Sequence, residues 1–203
     1  VLVAVGRRPV TDTLGLDAIG LDPDDNGFLT TDDRTRTDLD HVYAVGDVAG
    51  EPMLAHKASA EGIVAAETIA GMSTTLDSQA IPAAVFTDPE IGTVGLTESE
   101  AVEAGYDPIV GEMPMRASGR ALTMNESGGF VRLVGDGDTW SLLGGQVVAP
   151  EASELIAEIG VAIELGATVD DVAETIHTHP TLSEATMEAA ENAMEQAIHT
   201  LNR

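Results

Sequence analysis

The sequence predicts an α/β segment followed by a separate α+β domain, and three observations predict it. Short Val-rich apolar runs in the first fifty residues each stop at a glycine, as buried strands feeding turns do. A polar stretch, Ser73–Ala80, interrupts the hydrophobic patterning and marks a boundary. Beyond it the order becomes strand, helix, strands, helix, helix, which suits a short antiparallel sheet with helices packed on one face.

Val1–Val5 is predicted to be a buried strand that ends at Gly6, where Arg7-Arg8-Pro9 breaks it. Asn26-Gly27 predicts a turn, most simply that of a hairpin. His41–Asp47 (HVYAVGD) is predicted as a second strand stopping at Gly46-Asp47. From Ala55 the spacing is helical, with Ala58, Gly62, Ala65, Ala66 and Ile69 on one face and Gly71 as a natural stop. In the second unit, Ala83–Phe86 and Thr93–Leu96 are predicted strands and Thr97–Ala104 a short capped helix. Gly129–Val134 and Trp140–Val148 are predicted to pair around Gly135-Asp136-Gly137. Ala152–Leu165 is an amphipathic helix with Leu155, Ile156, Ile159 and Ile163 in one stripe. Ser183–Leu201 carries Met187, Ala190, Met194, Ile198 and Leu201 at helical spacing and is predicted as the terminal helix.

Composition bounds the function. With 203 residues, 43% apolar and 22% charged, the chain has enough material for a packed core and is not a disordered or low-complexity sequence. Nine Lys plus Arg against 35 Asp plus Glu leave a net charge of −26, and Lys57 is the one lysine. Such a surface repels phosphate backbones and anionic headgroups, which argues against nucleic-acid binding and membrane docking. No apolar run approaches the roughly 20 residues that span a bilayer. The same charge strains the folded state unless salt screens it, so the composition predicts a protein of a high-salt cytoplasm. The chain has no cysteine, hence no disulfide and no thiol chemistry of its own. It opens on VLVAVG, without a basic leader or an initiator Met, which predicts part of a longer chain.

Three constellations carry candidate chemistry. Asp22-x-Asp24-x-Asn26-Gly27 with Asp33 twelve residues into the run nearly fits a calcium loop, but the closing residue is the short Asp and the flanks are not helical. It reads as an acidic turn, with a calcium-binding module as the alternative. His177-x-His179 has the spacing of half a metal site without a third ligand, so no metal is expected. His179 precedes Pro180, which pushes it out of any helix. Thr181-x-x-Glu184 then fits a capping box for the terminal helix. Alternatively Glu184 orients His179, fixing its tautomer in a His–carboxylate dyad suited to general base work. A carboxylate has two oxygens, so the two readings are compatible.

Thr37–Val48 (TDLDHVYAVGDV) followed by Pro52–Gly62 (PMLAHKASAEG) resembles the second flavin-contact segment of the pyridine nucleotide–disulfide oxidoreductases. VLVAVGRRP resembles the strand closing that family's nicotinamide domain. Ile81–Glu98 (IPAAVFTDPEIGTVGLTE), LLGGQVVAPEASELI and HTHPTLSEA resemble its C-terminal dimerisation domain. The motifs occur in order across nearly the whole chain, and PMLAHK and HPTLSE are most similar to the branch that oxidises dihydrolipoamide. The resemblance implies the end of a two-dinucleotide-binding-domain flavoprotein followed by an α+β interface domain. Residues 1–10 would end the NAD-binding domain, 11–78 would form the second FAD segment, and 79–203 the dimerisation domain.

The resemblance also assigns residues. Asp47 would accept a hydrogen bond from the ribityl chain of FAD, Gly46 allowing close approach. Met53, Leu54, Ala55 and His56 would open a helix whose positive end faces the flavin's N1–C2=O edge. Gly6 would let NAD pack at the strand end. His179 would be the catalytic base and Glu184 its partner, acting in a homodimer at the redox disulfide of the other subunit. The substrate implied is dihydrolipoamide, free or on the lipoyl domain of a 2-oxoacid dehydrogenase complex, with NAD+ as acceptor. The redox cysteines and first FAD motif of the family lie upstream of Val1, so the chain alone is expected to be inactive. Another flavin disulfide reductase and a non-catalytic acidic interaction domain are the competing readings.

Overall fold

The computed structural model describes residues 1–202, which divide between Asp77 and Ser78 into two units. The first has little regular structure. Leu16, Leu21, Leu29 and Ala44 form a small core, with Leu39, Val42, Val48 and Ala49 packed against it. Short 3-10 turns lie at Leu16–Ala18 and Gly46–Val48, and helix α1 spans Ala55–Ile69.

Several expectations for this unit need correction. Val1–Val5 is not a strand: Val1, Leu2, Val3 and Val5 are exposed, and no strand among the described residues pairs with them. A run of valines becomes a strand only beside a neighbour that takes its hydrogen bonds. His41–Asp47 likewise forms only a single bridge, Arg36 to Tyr43, before the 3-10 turn. Asn26-Gly27 does turn the chain, but without hairpin strands. Asp24 Oδ1 instead accepts from the Asn26 and Phe28 N–H groups at 2.9 and 2.8 Å. In α1 the buried face is Lys57, Glu61, Val64 and Ala65, whereas Ala66 and Ile69 are exposed. The apolar count misplaced that face because its centre is an ion pair.

The second unit is built on a five-stranded antiparallel sheet in the order β1-β2-β5-β4-β3. Its strands are β1 (Ala83–Val85), β2 (Glu90–Gly95), β3 (Pro108–Pro114), β4 (Phe130–Asp136) and β5 (Leu142–Ala149). Helix α2 (Glu98–Glu103) is capped as predicted, by a capping box in which Thr97 and Glu100 bond each other's backbone. Helix α3 covers Gly119–Met124. Helix α4 (Ala152–Glu164) buries Leu155, Ile156, Ile159 and Ile163 as its spacing predicts. Helix α5 (Val169–Glu174) follows a second capping box, Thr168 with Asp171.

Helix α6 is shorter than predicted. It runs over Glu184–Ala193, and Glu195 in the left-handed region (φ 60°) ends the periodic pattern. Ile198 and Leu201 are exposed rather than helical core, and the buried face of α6 centres on Ala185, Ala189 and Ala190. The predicted β5 start also moves, since Trp140 sits in a turn at φ 63°. Strand β3 escaped the sequence reading because prolines bound it at both ends. At the edge of the sheet those prolines are tolerated.

One cross-strand row, Val94–Gly145–Leu133–Gly111, alternates large and small residues. Ile159 of α4 sits over Gly145, where an added Cβ would come within 2.8 Å of its Cγ2. The Ala189 carbonyl of α6 lies so close over Gly111 that any Cβ there would collide with it. Glycine is required at 111 by approach, not by backbone angle. These gaps let α4 and α6 lie down on the sheet, and α6 carries the segment of interest at its start.

Candidate functional site

In the first unit, Asp47 stands at the exposed tip of the Gly46–Val48 turn. Gly46 (φ 73°) packs against α1, where a Cβ would lie 3.1 Å from that of Ala58. Its N–H donates to Glu61 Oε2 at 2.7 Å. Glu61 Oε1 is paired with Lys57 Nζ at 2.7 Å, and Lys57 also donates to the Gly50 carbonyl at 3.2 Å. The start of the turn and the chain two residues past it are therefore both tied to α1.

Met53 is buried, Leu54 is the extended residue before α1, and Ala55 and His56 open the helix in exposed positions. The helix start has no side-chain cap and no acidic residue in its first turn, in a chain with 35 acidic residues. Arg7 donates to the Met53 carbonyl at 2.7 Å. Gly6 adopts φ 141°, and an added Cβ there would meet nothing within 4 Å. An acceptor-only carboxylate beside a positive helix end fits a polyol chain joined to a ring that gains negative charge on reduction, so these residues fit a flavin.

In the second unit, residues 175–183 join α5 to α6 and carry two histidines in opposite environments. His179 Nδ1 meets Glu184 Oε1 at 2.8 Å, and Glu184 Oε2 accepts the Thr181 N–H at 2.7 Å. The His179 side chain is 78% exposed and that of Glu184 only 19%. Burial pushes the Glu184 carboxyl up, but the Thr181 N–H, the His179 bond and the nearness of His179 and His177 outweigh it. The group is held below the ordinary carboxylate range. Ionised, it can only accept, so the hydrogen of this contact is carried by Nδ1 of His179. The expected capping box is half formed. Glu184 reaches back to Thr181, while the Thr181 hydroxyl donates to the Thr178 carbonyl and the helix begins after Ser183.

His177 points inward, its side chain 6% exposed. Nδ1 contacts the Thr175 carbonyl at 2.7 Å and Nε2 meets Glu158 Oε1 of α4 at 2.5 Å. It lines a cavity of about 210 Å³ between α4 and α5, with Ile159, Val172 and Thr186. Glu158 had no signal in the sequence, because nineteen residues separate it from His177. Within Asp22–Asp33, two carboxylates serve local turns: Asp24 as above, and Asp32 in bonds to Arg34 and Arg36. Among the described residues, no group of three His, Cys, Asp or Glu is placed to hold a metal ion. No helix of the described residues is long and apolar enough to cross a membrane.

Comparison with known proteins covers both units. The family model described as pyridine nucleotide-disulphide oxidoreductase, dimerisation domain, matches residues 81–190. A second, pyridine nucleotide-disulphide oxidoreductase, matches residues 1–62. Dihydrolipoyl dehydrogenase of Haloferax volcanii is 68% identical over 204 residues, covering 100% of this chain and 43% of that protein. The protein of the same name from Thermus scotoductus is 55% identical, over 100% of this chain and 44% of its own length. Among solved structures, LpdA from Mycobacterium tuberculosis superposes with a TM-score of 0.82 at 34% identity, over 91% of this chain and 40% of that one. The flavoprotein disulfide reductase RclA from Escherichia coli gives a TM-score of 0.84 at 27% identity, over 93% of this chain and 44% of that one. The chain spans less than half the length of each of these relatives.

Proposed function

The chain belongs to the pyridine nucleotide-disulphide oxidoreductase family, and on that premise we propose that it supplies the C-terminal part of an FAD-dependent dihydrolipoamide dehydrogenase using NAD+. The reading rests on the His179–Glu184 pair, in which a half-buried, ionised carboxylate pins Nδ1–H of an exposed imidazole.

In this reading the working enzyme is a homodimer, and His179 of one subunit reaches the redox disulfide of the other. Nε2 removes a proton from a thiol of dihydrolipoamide, and the thiolate attacks the enzyme disulfide. Closure of the lipoamide disulfide releases two electrons and two protons in all. Glu184 holds the ring in one tautomer and stabilises it while it carries the proton. Bound FAD supplies the two-electron relay between dithiol and NAD+. Toward it this chain contributes the Asp47 acceptor and the uncapped start of α1, which favours negative charge on the reduced ring. In the same reading, Gly6 is the residue against which the nicotinamide cofactor packs, and the open space around it supports this. The enzyme works in a salt-rich cytoplasm, its dithiol substrate free or carried on a lipoyl domain.

The test is a His179→Gln variant of the full-length protein. It should keep FAD and dimerise yet lose about 10²–10⁴-fold in dihydrolipoamide turnover, and wild-type turnover would refute the base assignment. The likeness to RclA favours a second reading, a reductase of another disulfide. Assays of dihydrolipoamide against other thiols and disulfides, with NADH and NADPH, distinguish the two.

A further inference from the structure

The one lysine of this chain lies inside it. Lys57 and Glu61, both with side chains 7% exposed, form an ion pair one turn apart on the buried face of α1. Burying two charges is costly, and an apolar pair of the same volume commonly holds a fold equally well. The pair therefore needs another reason, and its remaining bonds supply one. Glu61 Oε2 accepts the N–H of Gly46 at 2.7 Å, and Lys57 Nζ donates to the carbonyl of Gly50 at 3.2 Å. Gly46 opens the turn that presents Asp47, and Gly50 lies two residues past its last one. Ala58, between them on the helix, closes against Gly46.

We infer that Lys57 and Glu61 are positioning residues for the flavin, a two-ended clamp fixing the Asp47 turn relative to the start of α1. The inference rests on the reading that Asp47 and the α1 start face FAD. Neither side chain is exposed, so neither touches the cofactor. They act by setting the spacing between the acceptor for the polyol and the positive helix end beside the ring. Hydrogen bonds to backbone hold that spacing, with Ala58 packed against Gly46 between them. The neighbouring Leu29 N–H to Val48 carbonyl bond (2.7 Å) anchors the turn to the small core instead of to the helix.

The experiment uses full-length holoenzyme and reads FAD affinity and the flavin's midpoint potential. Lys57→Met with Glu61→Met removes the clamp without leaving a lone buried charge. It should weaken FAD binding at least tenfold and make the flavin harder to reduce, while the apoprotein unfolds within a few degrees of wild type. Lys57→Met with Glu61→Gln keeps an acceptor for Gly46 and releases only Gly50, and should fall between this variant and wild type. It also serves as the test if the first variant does not fold. Asp47→Asn is measured in parallel. If Asp47→Asn weakens FAD binding while the clamp variants keep wild-type affinity and potential, the clamp is overturned and the flavin reading survives. If Asp47→Asn also binds FAD like wild type, the flavin reading fails and the inference with it.

Discussion

The carboxylate of Glu184 is shared between a side chain and the backbone: Oε1 faces His179 Nδ1 at 2.8 Å, and Oε2 holds the Thr181 N–H at 2.7 Å. One group thus ties down the ring and the turn that carries it. Glu184→Gln keeps one oxygen and loses the charge. In the full-length enzyme it should lower dihydrolipoamide turnover about 10–100-fold, less than loss of the imidazole. Glu184→Ala should add a stability loss of about 1 kcal/mol from the freed turn. Equal stability of the Gln and Ala variants by thermal unfolding would show that the Thr181 bond contributes nothing.

His177 predicts a different phenotype from its neighbour. Its side chain is almost wholly buried and bridges the Thr175 carbonyl to Glu158 of α4. His177→Asn removes the bridge to α4, and should cost about 1–2 kcal/mol because polar groups lose their partners. Turnover should fall less than for His179→Gln, and restoring thermal stability with salt should recover part of it. A His177 variant as inactive as His179→Gln at full stability would place the base on the wrong histidine.

Glu191 is held above the ordinary carboxylate range by burial and by Glu188 beside it, with His199 pulling the other way. A carboxyl raised on folding costs nothing while both states are protonated. The penalty grows as pH rises through its unfolded value and is full above the folded one. Glu191→Gln should therefore raise the thermal midpoint at pH 7 by about 1–2 °C and leave it unchanged near pH 3. A gain that persists in acid would point to packing instead of charge.

Glu184, Asp171 and Asp136 carry the opposite sign. Hydrogen bonds hold Asp171 (from Thr168) and Asp136 (chiefly from Thr139) below the ordinary range, as with Glu184. Their stabilisation is complete above the unfolded carboxylate value and disappears as pH falls through the folded ones. In high salt, unfolding midpoints should be level above about pH 5 and drop below about pH 4. A midpoint that rises on acidification in high salt would contradict this.

At a net charge of −26, salt should act strongly. The screening length is about 10 Å in 0.1 M salt and about 3 Å in 1 M, so repulsion between surface carboxylates fades over that interval. The thermal midpoint should climb by about 10 °C or more between those concentrations of KCl. A flat response would remove the high-salt reading.

What the sequence revealed follows from how local each signal is. The short capped helix after Thr97 and the Leu155–Ile163 stripe are decided within one or two helical turns, and both formed as read. The Glu184 arrangement spans five residues and was legible as two compatible roles. Strand readings at Val1–Val5 and His41–Asp47 failed because a strand depends on partners elsewhere in the chain. The buried face of α1 was misplaced because charged residues count as solvent-facing until their partners are known. Glu158 and Arg7 were invisible, since their contacts join residues 19 and 46 positions apart.

The bare Cα at Gly111 has a consequence well away from the sheet. Ala189 rests on it, and Glu184 lies five residues earlier on the same rod of helix, about 7.5 Å along its axis. Any side chain placed under that rod would lift it, and the imidazole hinged to its tip would swing with it. The position of that imidazole is thereby gauged from an outer strand that carries no chemistry of its own.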